Sequence, residues 1–292
     1  PEENIKFRMD LLRKCHDDRM FRRGMKEMCA NDIGTFINCF VWQYNPLKGG
    51  QEAGPFILWP FQIGLIRTIL DCIECHCPKY DYVHGHDLVI EKSREIGATW
   101  GVLLAFDWLF HFKRSKSFLC VSRSEEAVED ESGDSLFSKL DFIHRHMPDW
   151  LLPNIKRRKR YFGNMDMGSQ ITGQASTGRA GIGGRHTAIF PDEMSRIAEA
   201  QDIIDGTADT ARCRIFTGTH FGVDTPFHKL CMREDIRKVV LHWSLHPDKC
   251  KGAYRYDAAK GEVNILDKAY VFPKDYKFVM SEKTGKHTCL CR

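Results

Sequence analysis

At 292 residues, with 43 Lys and Arg against 39 Asp and Glu and a net charge of +4, the chain can bury a large core but is too weakly basic to argue for a polyanion partner from charge alone. Its 12 cysteines lack the even spacing of a disulfide framework, and no apolar run is long enough to span a bilayer, which sets aside the small disulfide-stapled and membrane-spanning classes. With no signal peptide at its start, reduced thiols and a cytoplasmic setting are expected, and no internal repeat or long low-complexity linker interrupts it.

Residues 1–45 carry Ile5, Met9 and Leu12, then Phe36, Ile37, Phe40 and Val41, at helical spacing, which predicts a helical lead-in packed on a core. Asn45-Pro46 and Gly49-Gly50 break that pattern before the chain resumes as PFILWPFQIGLIRTIL. Gln62 stands at the start of the next predicted helix. Its amide carries both a donor and an acceptor, so it suits the edge of an adenine, or it is simply a polar residue at a helix start. Cys72, Cys75 and Cys77 with His84 and His86 offer metal-binding atoms, but C-x2-C-x-C followed by H-x-H is not a standard zinc pairing. Buried thiols at a helix end are the simpler expectation.

The stretch DLVIEKSREIGATW, Asp87 to Trp100, organises the rest. Leu88-Val89-Ile90 reads as a strand, Lys92 to Gly97 as a tight turn, and Thr99 opens a long apolar segment, giving strand, loop and helix. In a phosphate loop, backbone N–H groups at a helix N-terminus surround phosphate oxygens, a Lys supplies a point charge and a Ser or Thr hydroxyl ligates Mg2+. Against the usual G-x-x-x-x-G-K-S/T spelling, Gly97 and Thr99 keep their places, Ala98 replaces the Lys, and Lys92 stands where the first Gly belongs. The long Lys92 side chain can reach the phosphates from there; an ordinary strand-to-helix turn with a charged lip is the bland alternative. The candidate nucleotide contacts are Lys92, Ser93, Arg94, Glu95, Ile96, Gly97, Ala98, Thr99 and Trp100, with Thr99 on the metal.

WGVLLAFDWLFHF is apolar almost all round and predicts a buried helix, and SFLCV, Ser117 to Val121, a second buried strand leading through Ser122-Arg123-Ser124 into a Glu-rich helix. Strand, helix and strand with short joints imply a parallel sheet with right-handed crossovers. Lys156-Arg157-Arg158-Lys159-Arg160 is the densest basic run: a solvated edge, a nuclear address or a patch tracking phosphates. A glycine-rich segment carrying Arg179 and Arg185 follows.

HTAIFPDE then delivers two adjacent carboxylates to the end of an apolar strand, Asp192 suited to the Mg2+ shell and Glu193 to orienting and polarising an attacking water. Pro191 cannot donate to a sheet ladder, so it is expected as the last residue of that strand. The next strand, Cys213 to Phe216, ends in Thr217-Gly218-Thr219, whose hydroxyls suit sensing a γ-phosphate through water, unless the segment is a plain loop.

Gln62, the loop with its Lys in front, the strand ending Asp192-Glu193 and Thr217-Gly218-Thr219 occur in one order, and together they resemble the ATPase domain of the large terminases, the DNA-packaging motors of tailed bacteriophages. The K-S-R-x-x-G-x-T spelling is characteristic of part of that family, and the resemblance covers residues 50 to 250. It implies an α/β P-loop NTPase fold of the additional-strand, catalytic-glutamate type, with a mainly parallel central sheet flanked by helices. ATP and Mg2+ are the implied ligands and double-stranded DNA the translocated substrate. The implied partners are the portal protein, the small terminase subunit and further copies of the chain in a ring, with a monomer in isolation. The implied location is the procapsid portal in the host cytoplasm. It also points to a charge-stabilising arginine supplied to a neighbouring subunit, expected at Arg179, with Arg185 or, acting in its own site, Arg94 as alternatives.

Two departures stand out. Pro191 occupies a place where the family more often has an aliphatic residue, and the residues after Trp243 are too few for the metal-dependent nuclease domain that family members carry, so DNA cleavage is not expected from this chain. The expected divisions are a helical lead-in over 1–48, the ATPase core over 49–245, and a small C-terminal subdomain or linker over 246–292. Two other classes share some of these residues: a superfamily-2-like helicase motor, and a nucleotide-gated DNA-binding module without useful hydrolysis.

Overall fold

The computed structural model describes residues 2–44, 53–77, 82–83, 85–131, 133–176, 181, 184–257, 260, 262–271, 277–280 and 287–290. They fall into two compact units, 1–241 and 242–292.

The first unit opens with α1 (Glu2–Asp17), α2 (Arg19–Asn31) and α3 (Ile33–Phe40). Two aspartates divide this helical run. Asp18 accepts from the amides of Met20 and Phe21, and Asp32 from the amide of Thr35, so each caps the helix that follows it. Cys15, Cys29, Phe36 and Ile37 are fully buried in the main core. Arg8 is buried too, and its guanidinium donates to the carbonyls of Val41 at 2.6 Å and of Ile37 and Phe56 at 3.2 Å. That side chain ties α1 to the end of α3 and to the antiparallel pair β1 (Trp42–Tyr44) and β2 (Ala53–Pro55).

After α4 (Pro60–Ile73) and the short antiparallel pair β3 (His76–Cys77) and β4 (Tyr82–Val83) come β5 (Leu88–Lys92), α5 (Ala98–Phe112), β6 (Ser117–Ser122), α6 (Glu125–Val128) and α7 (Leu136–Arg145). A meander of β7 (Ile155–Arg158), β8 (Tyr161–Asn164) and β9 (Ser169–Ala175) leads to β10 (Ala188–Pro191), α8 (Ala200–Gly206), β11 (Ile215–Gly218), α9 (Pro226–Met232) and β12 (Arg237–Leu241).

One sheet runs β10-β6-β9-β8-β7 and a second β11-β5-β12. They meet where Ile189 pairs in parallel with Arg214 and the Ile189 amide donates to the Cys213 carbonyl at 2.9 Å, which sets β11 between β5 and β10. The run β9-β6-β10-β11-β5-β12 is parallel from each strand to the next, and β8 joins β9 and β7 antiparallel at the edge. Alternation sorts the strand residues onto two faces. Leu88, Ile90, Phe118, Cys120 and Phe190 pack in the core that includes α5, while Val89, Leu119, Val121, Ile189 and Phe216 pack with residues of α8 and α9. A helix buried nearly all round, α5 is therefore covered by the sheet on one side and by the N-terminal helices on the other; its Trp108 donates to the Cys29 carbonyl at 2.7 Å.

In the second unit β13 (Tyr254–Asp257) pairs antiparallel with β14 (Glu262–Ile265), and β15 (Lys277–Met280) with β16 (His287–Leu290). No described helix is long and apolar enough to cross a membrane.

Candidate nucleotide-binding site

Strand β5 lies between β11 and β12 and ends at Lys92. The Ser93 amide donates to the Leu241 carbonyl at 2.9 Å, after which the chain doubles back over the strand end. That reversal uses two left-handed residues, Glu95 at φ 53° and Gly97 at φ 80°, and the buried Ile96 pins the loop between them. Gly97 is then the N-cap of α5, whose free N-terminal amides face the loop. A Cβ at Gly97 would lie 2.5 Å from Nε2 of Gln62, so both conformation and space require glycine there.

Gln62 lies against the loop rather than out in solvent. Its Oε1 accepts from the Trp59 amide at 3.0 Å and its Nε2 donates to the Ile96 carbonyl at 3.5 Å, so it fastens the start of α4 to the loop. The second amide hydrogen and the second oxygen lone pair are what it has left for an adenine edge. Ala98 is buried, so no side chain at the usual lysine position reaches the loop, whereas Lys92 is half-buried at the strand end. Arg94 and Glu95 are exposed. Trp100 turns its ring toward Tyr44 and Phe56, with centroids 6.1 and 5.6 Å away, so it contributes packing and a backbone amide of the first helical turn rather than a ring over the loop.

The carboxylates arrive from β10. Pro191 is that strand's last residue and still pairs with Val121, with the Asp192 amide donating to the Val121 carbonyl at 2.8 Å; on the other side, where the Ile189 amide donates to Cys213, Pro191 has no N–H to carry the ladder with β11 further. Asp192 is buried and holds two hydroxyls: Thr99 Oγ1 donates to its Oδ2 at 3.0 Å, and the fully buried Thr217 Oγ1 to its Oδ1 at 2.5 Å. The loop helix, the carboxylate strand and the strand between them are thus joined through one side chain. Thr99, in the first turn of α5, and Asp192, just past the end of β10, are hard oxygen donors, a set that suits Mg2+ with its remaining positions left to water and phosphate. Glu193 follows in a left-handed conformation, φ 54°, with its amide donating to Asp192 Oδ1 at 3.0 Å and its side chain half-exposed.

Glu193 has a neighbour that the sequence reading did not single out. Arg123, just past the end of β6, places Nε 3.7 Å from Glu193 Oε2. The usable signal was positional, a cation at the end of a strand next to the Asp-Glu strand, but strand adjacency was not known from the sequence. Gly218 is fully enclosed at the end of β11 and Thr219 is half-buried beyond it.

Other candidate residues are placed elsewhere or lie outside the described residues. Arg179 falls outside them, as do His84 and the side chain of Cys77; Arg185 is exposed. The basic run is the β7-β8 hairpin. Within it Arg157 is taken up internally, bonded to Asp141 at 2.9 Å and to Glu129, with its guanidinium carbon 4.4 Å from the Phe162 ring centroid. Arg160 pairs with Glu125 at 2.7 Å, which leaves Lys156, Arg158 and Lys159 as the exposed cations of the run. Cys72 is buried, its thiol pushed up by that burial, and among the described residues neither Cys72 nor Cys75 joins a group of metal-ligating side chains.

Strand order β6-β10-β11-β5-β12, with the extra strand β11 separating the loop strand from the carboxylate strand, defines a P-loop NTPase fold of the additional-strand type. No protein-family model and no curated protein sequence matches the chain. Solved structures do. The large terminase of bacteriophage HK97 superposes with a TM-score of 0.53 at 15% identity, over 78% of this chain and 45% of that one. A large terminase from a thermophilic bacteriophage in complex with ADP gives 0.48 at 12% identity over 66% and 48%, and the ATPase domain of the Thermus phage P74-26 large terminase 0.44 at 10% over 56% and 78%. The chain therefore shares its fold with the HK97 large terminase, as the motif order implied, and spans under half of that protein's length.

Proposed function

We propose that the chain is the ATPase motor of a large terminase, hydrolysing ATP to drive double-stranded viral DNA into a procapsid. The observation that carries this reading is the convergence of Thr99 and Thr217 on the carboxylate of Asp192, directly beside a glycine-hinged loop at the N-terminus of α5. The amides of the loop and of the first turn of α5 bind the phosphates, and Lys92 adds its charge from the strand end. Thr99 and Asp192 hold Mg2+, which when bound neutralises phosphate charge. Glu193 orients and deprotonates the attacking water, and Arg123, close to its carboxylate in this state, restrains it. Thr217, bonded to Asp192 at the end of β11, is placed to pass a change at the phosphates into the Gly218-Thr219 segment.

Assembly supplies what one copy lacks. A ring on the portal, fed by the small terminase subunit, brings an arginine to each neighbouring site, Arg179 first, with Arg185 and Arg94 as alternatives. DNA is gripped through its phosphates, with Lys156, Arg158 and Lys159 as the contributing cations of the basic hairpin. All of this takes place in the host cytoplasm. Phosphate release measured for the wild type, Lys92→Ala and Glu193→Gln tests the reading: both variants should lose turnover, and near-normal turnover in Lys92→Ala overturns the loop assignment.

A further inference from the structure

On the face of the sheet opposite α5, a cavity of about 530 Å³ opens between the ends of β5 and β11 and helix α9. Four metal-ligating side chains line it: Glu91, His220, His228 and Cys231. His220 Nε2 lies 3.0 Å from Glu91 Oε1, and one donor atom each of Glu91, His220 and Cys231 lies within 4.8 Å of the others. His228 and Cys231 are three apart on α9 and so share a face, and the His228 ring centroid is 5.8 Å from that of His220.

We propose that Glu91, His220, His228 and Cys231 form a tetrahedral site for a divalent transition metal of the zinc class. The donor set fits. Two imidazoles, one carboxylate and one thiolate are ligands zinc takes, at bond lengths of about 2.0–2.3 Å; Glu91, His220 and Cys231 reach these by contracting about an ångström from their present spacing, and His228, outside that trio but on the same cavity wall, by turning its side chain inward. The charge also fits, because one carboxylate and one thiolate cancel the two charges of the cation in an open cavity whose wall also carries Lys238. The thiol of Cys231 is pushed up to about 11 by burial and by Glu91, with Lys238 opposing; a metal cation displaces that proton outright. His220 and Glu91 keep over a quarter of their side-chain surface exposed, so an ion has a way in. The bound ion would tie three pieces together: the strand residue next to Lys92, the segment just after Thr217-Gly218-Thr219, and α9. It is distinct from the Thr99 and Asp192 pair in both position and ligand hardness.

Cobalt reports on such a site directly, since a cobalt–thiolate bond gives a near-ultraviolet charge-transfer band. The whole chain, stripped with a chelator, should take up one Co2+ with that band, and Zn2+ should displace it. Cys231→Ser should remove the band. Because Cys231 is buried and its loss can disturb packing, His220→Ala, at an exposed position, is the second variant: it should keep the fold by circular dichroism and weaken Co2+ affinity by at least about tenfold. His228→Ala should weaken it to a similar degree. Absence of stoichiometric binding, a band that survives Cys231→Ser, or unchanged affinity in His220→Ala overturns the site, and unchanged affinity in His228→Ala overturns the fourth ligand.

Discussion

Thr99 and Asp192, 93 positions apart in the chain, are joined by a 3.0 Å hydrogen bond from the threonine hydroxyl to Oδ2 of the carboxylate. The bond links the first turn of α5 to the end of β10 and places both metal ligands of the proposed site on one edge of the sheet. Thr99→Ala should therefore lose Mg2+-dependent phosphate release, and Thr99→Ser, which keeps the hydroxyl, should retain much of it. A magnesium titration of turnover for the two variants separates a ligand role from a packing role.

The adjacent carboxylates should divide binding from chemistry. Glu193→Gln should keep nucleotide affinity and lose turnover by ~10² or more, the usual scale for a lost general base. Asp192→Asn should instead weaken the Mg2+-nucleotide complex, because it removes the negative charge and turns one of the two oxygens that accept from Thr99 and Thr217 into an NH2 donor. Calorimetric titration with a slowly hydrolysed ATP analogue checks this, and equal binding by the two variants would undo the division of roles.

In the basic hairpin the cations separate by partner. Arg157→Ala should destabilise the fold by about 2 kcal/mol, since it strands Asp141 and Glu129 and removes a guanidinium packed on Phe162. Replacing Lys156, Arg158 and Lys159 together should leave stability nearly unchanged and reduce the salt slope of DNA binding by up to about 3, as expected when that many phosphate contacts are lost. Urea denaturation and DNA titration at several salt concentrations give the two readouts.

Acid should find a weak point behind the loop helix. Burial pushes the Asp107 carboxyl up, but His111 and His144, the latter 2.6 Å away through Nε2, outweigh it and hold the group well below the usual carboxylate range. A group whose pKa is lower in the folded chain than in the unfolded one adds stability above the unfolded value, about 3.9, and loses it as pH falls through the folded value. Wild-type stability should decline below about pH 4 more steeply than that of Asp107→Asn, measured as the urea midpoint against pH.

Much of this fold was legible because its signals are local. Leu88-Val89-Ile90, SFLCV and AIFP are apolar runs whose strands follow from burial on both faces, and Gly97 announces a left-handed cap. Within the meander, short strand-like pieces were legible after Gly163, but β7 was not, because it is mostly charged and its Arg157 is taken up by Asp141 and Glu129, a tertiary event. Site chemistry divided in the same way. Asp192, Glu193 and Thr99 stand in motif positions, whereas the engagement of Gln62 with the loop, of Thr217 with Asp192 and of Arg123 with Glu193 required knowing that β11 lies between β5 and β10 and that β6 adjoins β10. The gathering of Glu91, His220 and Cys231 was hidden for the same reason: 140 positions of chain separate residues that one sheet edge brings together.

Phosphate release by the isolated chain, across protein concentration and with or without duplex DNA, bears most directly on the central claim. A weak Mg2+-dependent ATPase is predicted, rising with concentration and with DNA and absent from Lys92→Ala and Glu193→Gln. No release above that of those two variants under any of these conditions would contradict it.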